Sequence, residues 1–128
     1  QMRYAGIDYG TKRVGVAFSD EEGRIAFPDR VLQNDKNLFS ELKARFADKG
    51  VEAVVIGESR DLGGAPNPVA AEIDKFAGRL KKEISLPIYF EPEFYTSAEA
   101  KRVQGENKMH DASAAALILK SFLDKQDD

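Results

Sequence analysis

Residues 3–20, RYAGIDYGTKRVGVAFSD, decide how the rest of the chain is read. Tyr4, Ala5 and Ile7 make a short apolar segment that ends in Asp8. Arg13–Ser19 then alternates, with Val14, Val16 and Phe18 on one face and Arg13, Gly15, Ala17 and Ser19 on the other. Between the two, Tyr9-Gly10-Thr11-Lys12 reads as a tight polar turn, with Gly10 expected at positive φ and two side chains able to touch phosphate. A carboxylate at the end of an apolar strand is costly in a core but favourable where a metal ion or phosphate sits. Equally, Asp8 can satisfy the backbone of its own turn.

With 128 residues, 42% of them hydrophobic and 32% charged, the chain is long enough to fill one core and short for two domains. It has no cysteine, so neither disulfides nor thiolate zinc sites contribute. No run of about 18 apolar residues is present, so no membrane span is expected and cytoplasmic residence is the default. The net charge of −3 argues against a broad electrostatic grip on nucleic acid. A local basic rim drawn from Lys12, Arg13, Arg60, Lys101, Arg102 and Lys108 is compatible with it.

Glu21-Glu22-Gly23 reads as a second tight turn, and Ile25–Leu32 as a third strand in which Pro28 implies an edge position or a bulge. Asn34-Asp35 offers an N-cap to a helix whose Leu38, Leu42 and Phe46 recur at helical spacing until Gly50. Val51–Gly57 is a nearly continuous apolar run, as in a strand covered on both faces, and Glu58–Pro68 is the longest loop. A helix over Val69–Ile84 precedes a short strand at Leu86–Phe90, which Glu91-Pro92-Glu93 is expected to end. Thr96 and Glu99 form a capping box for a helix closing near Gly105, and Asp111 opens the last helix, striped by Ala112, Ala116, Leu119 and Leu123. The domain spans 2–124, with a frayed tail at 125–128.

A three-strand meander followed by two right-handed crossovers gives a mixed five-stranded sheet of order 3-2-1-4-5, an α/β fold with helices on both faces. The first strand is then central, with the fourth and fifth parallel to it. Open α/β sheets gather their sites at the C-terminal edge of such strands. Asp8, Glu93 and Asp111 can meet there. Each has a structural alternative: a turn ligand, a solvated loop residue and a helix N-cap, respectively. Their shared edge favours a cation, because clustered carboxylates otherwise repel.

DYGTKRVGVAFSD, VVIG before a glycine-containing loop, EFYTSAEA and HDASAAALILKSFLD together resemble the YqgF/RuvX family over nearly the whole chain. The resemblance implies an RNase H-like fold. It also implies a nuclease of Holliday-junction-resolvase-like type, proposed for such proteins to act in pre-16S rRNA maturation. Carried over, the family's metal-binding and catalytic acids fall on Asp8, Glu93 and Asp111. Two departures stand out. Pro92-Glu93-Phe94 replaces the family's Asp-Glu-Arg, and Glu58-Ser59 stands where Leu-Pro usually follows Gly57. Related resolvases place an acid at the end of strand four, so Glu58 is either a solvated loop residue or a fourth ligand.

The implied chemistry is phosphodiester hydrolysis with Mg²⁺ or Mn²⁺, hard cations suited to carboxylate oxygens. In a two-metal scheme Asp8 would bridge ions about 4 Å apart, with Glu93 and Asp111 each holding one side. Lys12, Arg13, Arg60 and Lys108 are the expected nucleic-acid-binding residues. His110 is either structural or a proton shuttle, and Phe94 and Tyr95 are better placed to stack on bases than Phe90, which reads as core. The expected partner is structured RNA or branched DNA, read by shape, with no membrane role and with a homodimer left open. Two rival readings are an inactive RNase H-like adaptor and a phosphate-binding module related to the actin and sugar-kinase ATPases. The latter share the Asp-x-Gly-Thr hairpin but need a second domain.

Overall fold

The computed structural model describes residues 2–60, 69–94 and 108–126, with side chains for 2–58, 69–92 and 112–126. Five strands, β1 (Tyr4–Tyr9), β2 (Arg13–Ser19), β3 (Ala26–Gln33), β4 (Ala53–Arg60) and β5 (Ile88–Phe94), form one sheet of order β3-β2-β1-β4-β5. β1, β2 and β3 are antiparallel, while β4 and β5 run parallel to β1 and to each other, as the two crossovers require. Among the described residues three helices cover it: α1 (Leu38–Lys49), α2 (Ala70–Glu83) and α3 (Lys108–Gln126).

Strand alternation divides the core into two layers. Ile7, Val14, Val16, Val54 and Ile56 meet Leu38, Leu42 and Phe46 of α1 and Ile73, Phe76 and Leu80 of α2. On the other face Ala17 and Val55 meet Ala115, Ile118, Leu119, Phe122 and Leu123 of α3. Because β4 is covered on both faces, Ala53–Ile56 are all apolar and fully buried, and the sequence there cannot alternate.

Several local expectations are corrected. Gly10 is not left-handed; the positive-φ glycines among the described residues are Gly23 (φ +70°) and Gly50 (φ +66°). Gly10 is required for space instead, since a Cβ there would lie 2.5 Å from the Arg13 carbonyl oxygen. Asn34-Asp35 does not cap α1. The N-cap is Asn37, with no side-chain cap bond, and Asp35 Oδ1 accepts from the Asn37 amide one turn ahead of the helix. β4 continues through Glu58 to Arg60, and β5 continues through Glu91-Pro92-Glu93 to Phe94. An edge strand has one side without a ladder, so a proline fits there without breaking the sheet.

Pro28 meets both expectations made of it. β3 is the other edge, and the register steps from Val16↔Arg30 to Ala17↔Pro28, leaving Asp29 as the extra residue of a bulge. Asp29 is held by Arg45 of α1 at 2.7 Å, and that guanidinium lies 5.8 Å over the Phe18 ring. The last helix begins at Lys108, so Asp111 stands within its first turn rather than at the N-cap. It runs to Gln126, further than the frayed tail expected from 125 onward. The expected capping box at Thr96 and Glu99, and Tyr95, lie outside the described residues, as do the side chains of Phe94 and His110. Phe90 packs against the α1–α2 layer. No helix among the described residues is long and apolar enough to cross a membrane.

Candidate metal and phosphate site

The three parallel strands end at one edge: β1 in Asp8-Tyr9, β4 in Glu58-Ser59-Arg60 and β5 in Glu91–Phe94. Register assigns the faces. Ile7 pairs with Ile56 on the α1–α2 side, whereas Gly6 and Gly57 turn toward α3. Asp8, two residues beyond Gly6, shares the α3 face by alternation and is half-buried opposite Gly15 of β2. Glu91 pairs with Gly57 and meets α3 directly, so Glu93, paired with Ser59, holds a position on the same face. Glu58 alternates onto the face of Ile56, opposite Asp8, which counts against its reading as a fourth ligand.

α3 lies close on this face of the sheet. Tyr4 packs edge-on against Phe122 at 5.6 Å between ring centres. Two residues further along β1, a Cβ on Gly6 would lie 2.8 Å from Leu119 Cβ and 2.9 Å from the Ala115 carbonyl oxygen. The helix therefore retreats about one turn for every two strand residues, as a 5.4 Å pitch against about 6.6 Å of strand dictates. The helix thus lies close on β1 here, and the turn that holds Asp111 and Ala112 is the one ahead of Ala115. Such an approach needs bare backbone beneath the helix, and Gly57 supplies it on β4, where a Cβ would lie 2.5 Å from Ile118 Cδ1.

By register Asp8 and Glu93 share one face of this edge, and Asp111 stands in the first turn of α3, the helix packed on that face. The side chains of Glu93 and Asp111 lie outside the described residues, and no group of three His, Cys, Asp or Glu that could hold a metal occurs among the described ones. Three carboxylates are a hard oxygen donor set, fitted to Mg²⁺ or Mn²⁺ rather than to thiolate- or imidazole-seeking metals. Lys12 is exposed in the β1–β2 turn and Arg13 half-exposed at the start of β2. Arg60 ends β4 at this edge, and Lys108 starts α3.

Two residues that shape the edge were not singled out in this role from the sequence. Asn34 donates its amide N–H to the Lys12 carbonyl at 2.9 Å and its Nδ2 to the Gly10 carbonyl at 2.8 Å. Glu91, 2% exposed, accepts from Ser121 Oγ at 2.8 Å and Lys125 Nζ at 2.7 Å, which ties β5 to the C-terminal half of α3. An acid between Phe90 and Pro92 gives no sign of burial by itself, and the helical spacing of Ser121 and Lys125 becomes meaningful only once α3 lies on the sheet.

A mixed sheet in this order, with an acidic C-terminal edge under the start of the last helix, defines an RNase H-like α/β domain. Two structures of Thermus thermophilus RuvC share the fold, each covering 98% of this chain and 96% of that one. The TM-score is 0.64 at 17% identity for one, and 0.62 at 15% for the complex with a Holliday junction substrate. The profile of the RuvX family, described as Holliday junction resolvase, matches residues 2–125. A protein of Nitratidesulfovibrio vulgaris (strain Miyazaki F) named "Putative pre-16S rRNA nuclease" is 38% identical over 127 residues, covering 98% of this chain and 86% of that protein. A protein of the same name from Geobacillus thermodenitrificans is 34% identical over 137 residues, covering 98% and 99%. The chain belongs to the RuvX family.

Proposed function

We propose that this chain is a metal-dependent nuclease that hydrolyses phosphodiester bonds, with Asp8, Glu93 and Asp111 as its metal-holding and catalytic acids. What supports this reading is that β1, β4 and β5 end at one edge, with Asp8 and Glu93 on the same face by register and Asp111 in the first turn of the helix that packs on that face. Like charges so placed repel unless a cation joins them. A divalent cation held there would supply charge stabilisation on the phosphate and a water of lowered pKa. Lys12 and Arg13, with Arg60 and Lys108, hold the phosphates flanking the scissile bond by charge-assisted hydrogen bonds.

The family's description speaks for a four-way DNA junction, and the relatives' name for a ribosomal RNA precursor. Their shared chemistry is a phosphodiester in a folded nucleic acid, recognised by shape. Both substrates of a bacterial enzyme lie in the cytoplasm, where we place the activity. The test is a cleavage panel of precursor-like RNA, duplexes and four-way junctions, with Mg²⁺ or Mn²⁺, comparing wild type with Asp8→Asn. Cleavage of one class that Asp8→Asn lowers by at least about 100-fold supports the reading, since a lost first-rank catalytic group costs 10²–10³ or more. Binding without cutting by both proteins overturns it in favour of an adaptor, for which the Pro92 and Phe94 replacements would be the reason.

A further inference from the structure

The turn between β1 and β2 has to be rigid if Lys12 is to meet a phosphate beside Asp8. We infer that Asn34, in the β3–α1 connection, is the positioning residue that makes it so. The inference rests on the reading of Lys12 as a phosphate contact. Arg13 and Gln33 are the last pair in the β2–β3 register. Asn34 follows immediately, and its amide extends the ladder by one bond, to the Lys12 carbonyl at 2.9 Å. Its side chain then reaches across the mouth of the turn to the Gly10 carbonyl at 2.8 Å. Facing a carbonyl, the carboxamide has to present its NH₂ group, which fixes its orientation.

One residue therefore holds the carbonyls on both sides of Thr11. A trans peptide sets C=O and N–H on opposite sides, so holding the Gly10 oxygen toward Asn34 turns the Thr11 N–H away from it. Thr11 and Lys12 are both exposed. An outward N–H beside a lysine ammonium is the donor pair used to hold a phosphate oxygen. Gly10 reinforces this geometry, because with 2.5 Å between a would-be Cβ and the Arg13 oxygen, no other residue folds the turn so tightly. Asn34 takes no part in the acidic edge itself, and its effect passes through Lys12 and the Thr11 amide.

The experiment is a double-mutant cycle on nucleic-acid binding, read by fluorescence anisotropy with a labelled four-way DNA junction and a labelled RNA hairpin. Ca²⁺ replaces Mg²⁺ so that no cleavage is needed. Asn34→Ala adds no charge, and Asn34→Ser, whose hydroxyl is a shorter donor, is read in the same cycle. Asn34→Ala is expected to weaken binding about tenfold, the scale of one charge-assisted contact. In a Lys12→Ala background it should cost clearly less, about threefold, because of the two donors it positions only the Thr11 amide remains. Cleavage at saturating substrate should stay within about twofold of wild type, placing the loss in KM rather than kcat. Unchanged affinity on substituting Asn34, or a loss that adds in full to that of Lys12→Ala, overturns the inference and leaves a purely structural role. If wild type binds neither probe, the underlying function fails, and the inference goes with it.

Discussion

Asp20 shows how a single carboxylate is committed by its own backbone. Its Oδ1 accepts from the amides of Arg24 at 2.7 Å and Ile25 at 3.0 Å, and its carbonyl accepts from Gly23 at 3.2 Å. The turn at Glu21-Glu22-Gly23 was legible from its glycine, which sits at φ +70°. The amide bonds from Ile25 and Arg24 favour the ionised carboxylate and hold its pKa below the ordinary 3.8. A group whose folded pKa is depressed contributes stability that is full above the unfolded value and is lost as pH falls through the folded one. Asp20→Asn keeps the shape without the charge. The melting-temperature gap between wild type and Asp20→Asn should therefore be open at pH 6 and close as pH falls below the ordinary 3.8. A gap that persists at low pH would mean that charge is not what the turn uses. Residues of this kind are half legible. Asp8 announced itself by ending an apolar strand, whereas the bonds of Asn34 and Glu91 join segments whose proximity no local pattern encodes. Gly10 was read as a positive-φ residue, whereas it serves a close approach, because the two leave the same letter in the sequence.

At the level of elements, helices were found where apolar spacing repeats, and strand ends were missed where pairing overrides composition. β5 runs through Pro92 because an edge strand has one side without a ladder, and β4 extends to Arg60 because β5 extends beside it. The order of the strands needed only the meander and the hand of two crossovers. The close seating of α3 was not legible, since nothing marks Gly6 and Gly57 as a helix bed rather than as weak strand residues. The two glycines should respond differently to alanine. At Gly6 the added carbon meets backbone, 2.9 Å from the Ala115 oxygen, together with Leu119 Cβ at 2.8 Å, and neither can rotate away. At Gly57 it meets Ile118 Cδ1, the free end of a side chain. Gly6→Ala is expected to cost about 2–3 kcal/mol and Gly57→Ala about 1 kcal/mol, the two ends of the overpacking range. Urea denaturation checks the order. Equal costs would show that α3 shifts as a unit and that its seating is not set at Gly6.

For the whole molecule the decisive quantity is charge. A net charge of −3 gives no long-range attraction for a polyanion, and the edge proposed to meet the phosphate carries three of the acids. Without a cation this edge should repel the substrate; with one, the same carboxylates become the means of holding it. Binding and catalysis therefore have opposite dependences on Asp8, provided the acids form one electrostatic unit. At a separation of about 4 Å, two unit charges in water repel by about 1 kcal/mol, a factor of about five in affinity. In EDTA, Asp8→Asn should then bind a labelled four-way junction or RNA hairpin about fivefold more tightly than wild type, while in Mg²⁺ it cuts neither. Raising salt should shrink the EDTA difference, because screening acts on exposed charge at this range. A structural Asp8 that merely satisfies its own turn predicts the reverse: weaker or unchanged binding in EDTA and a lower melting temperature. Anisotropy titrations with and without the chelator, at two ionic strengths, separate the two, since only a carboxylate facing the phosphate can improve binding by being removed.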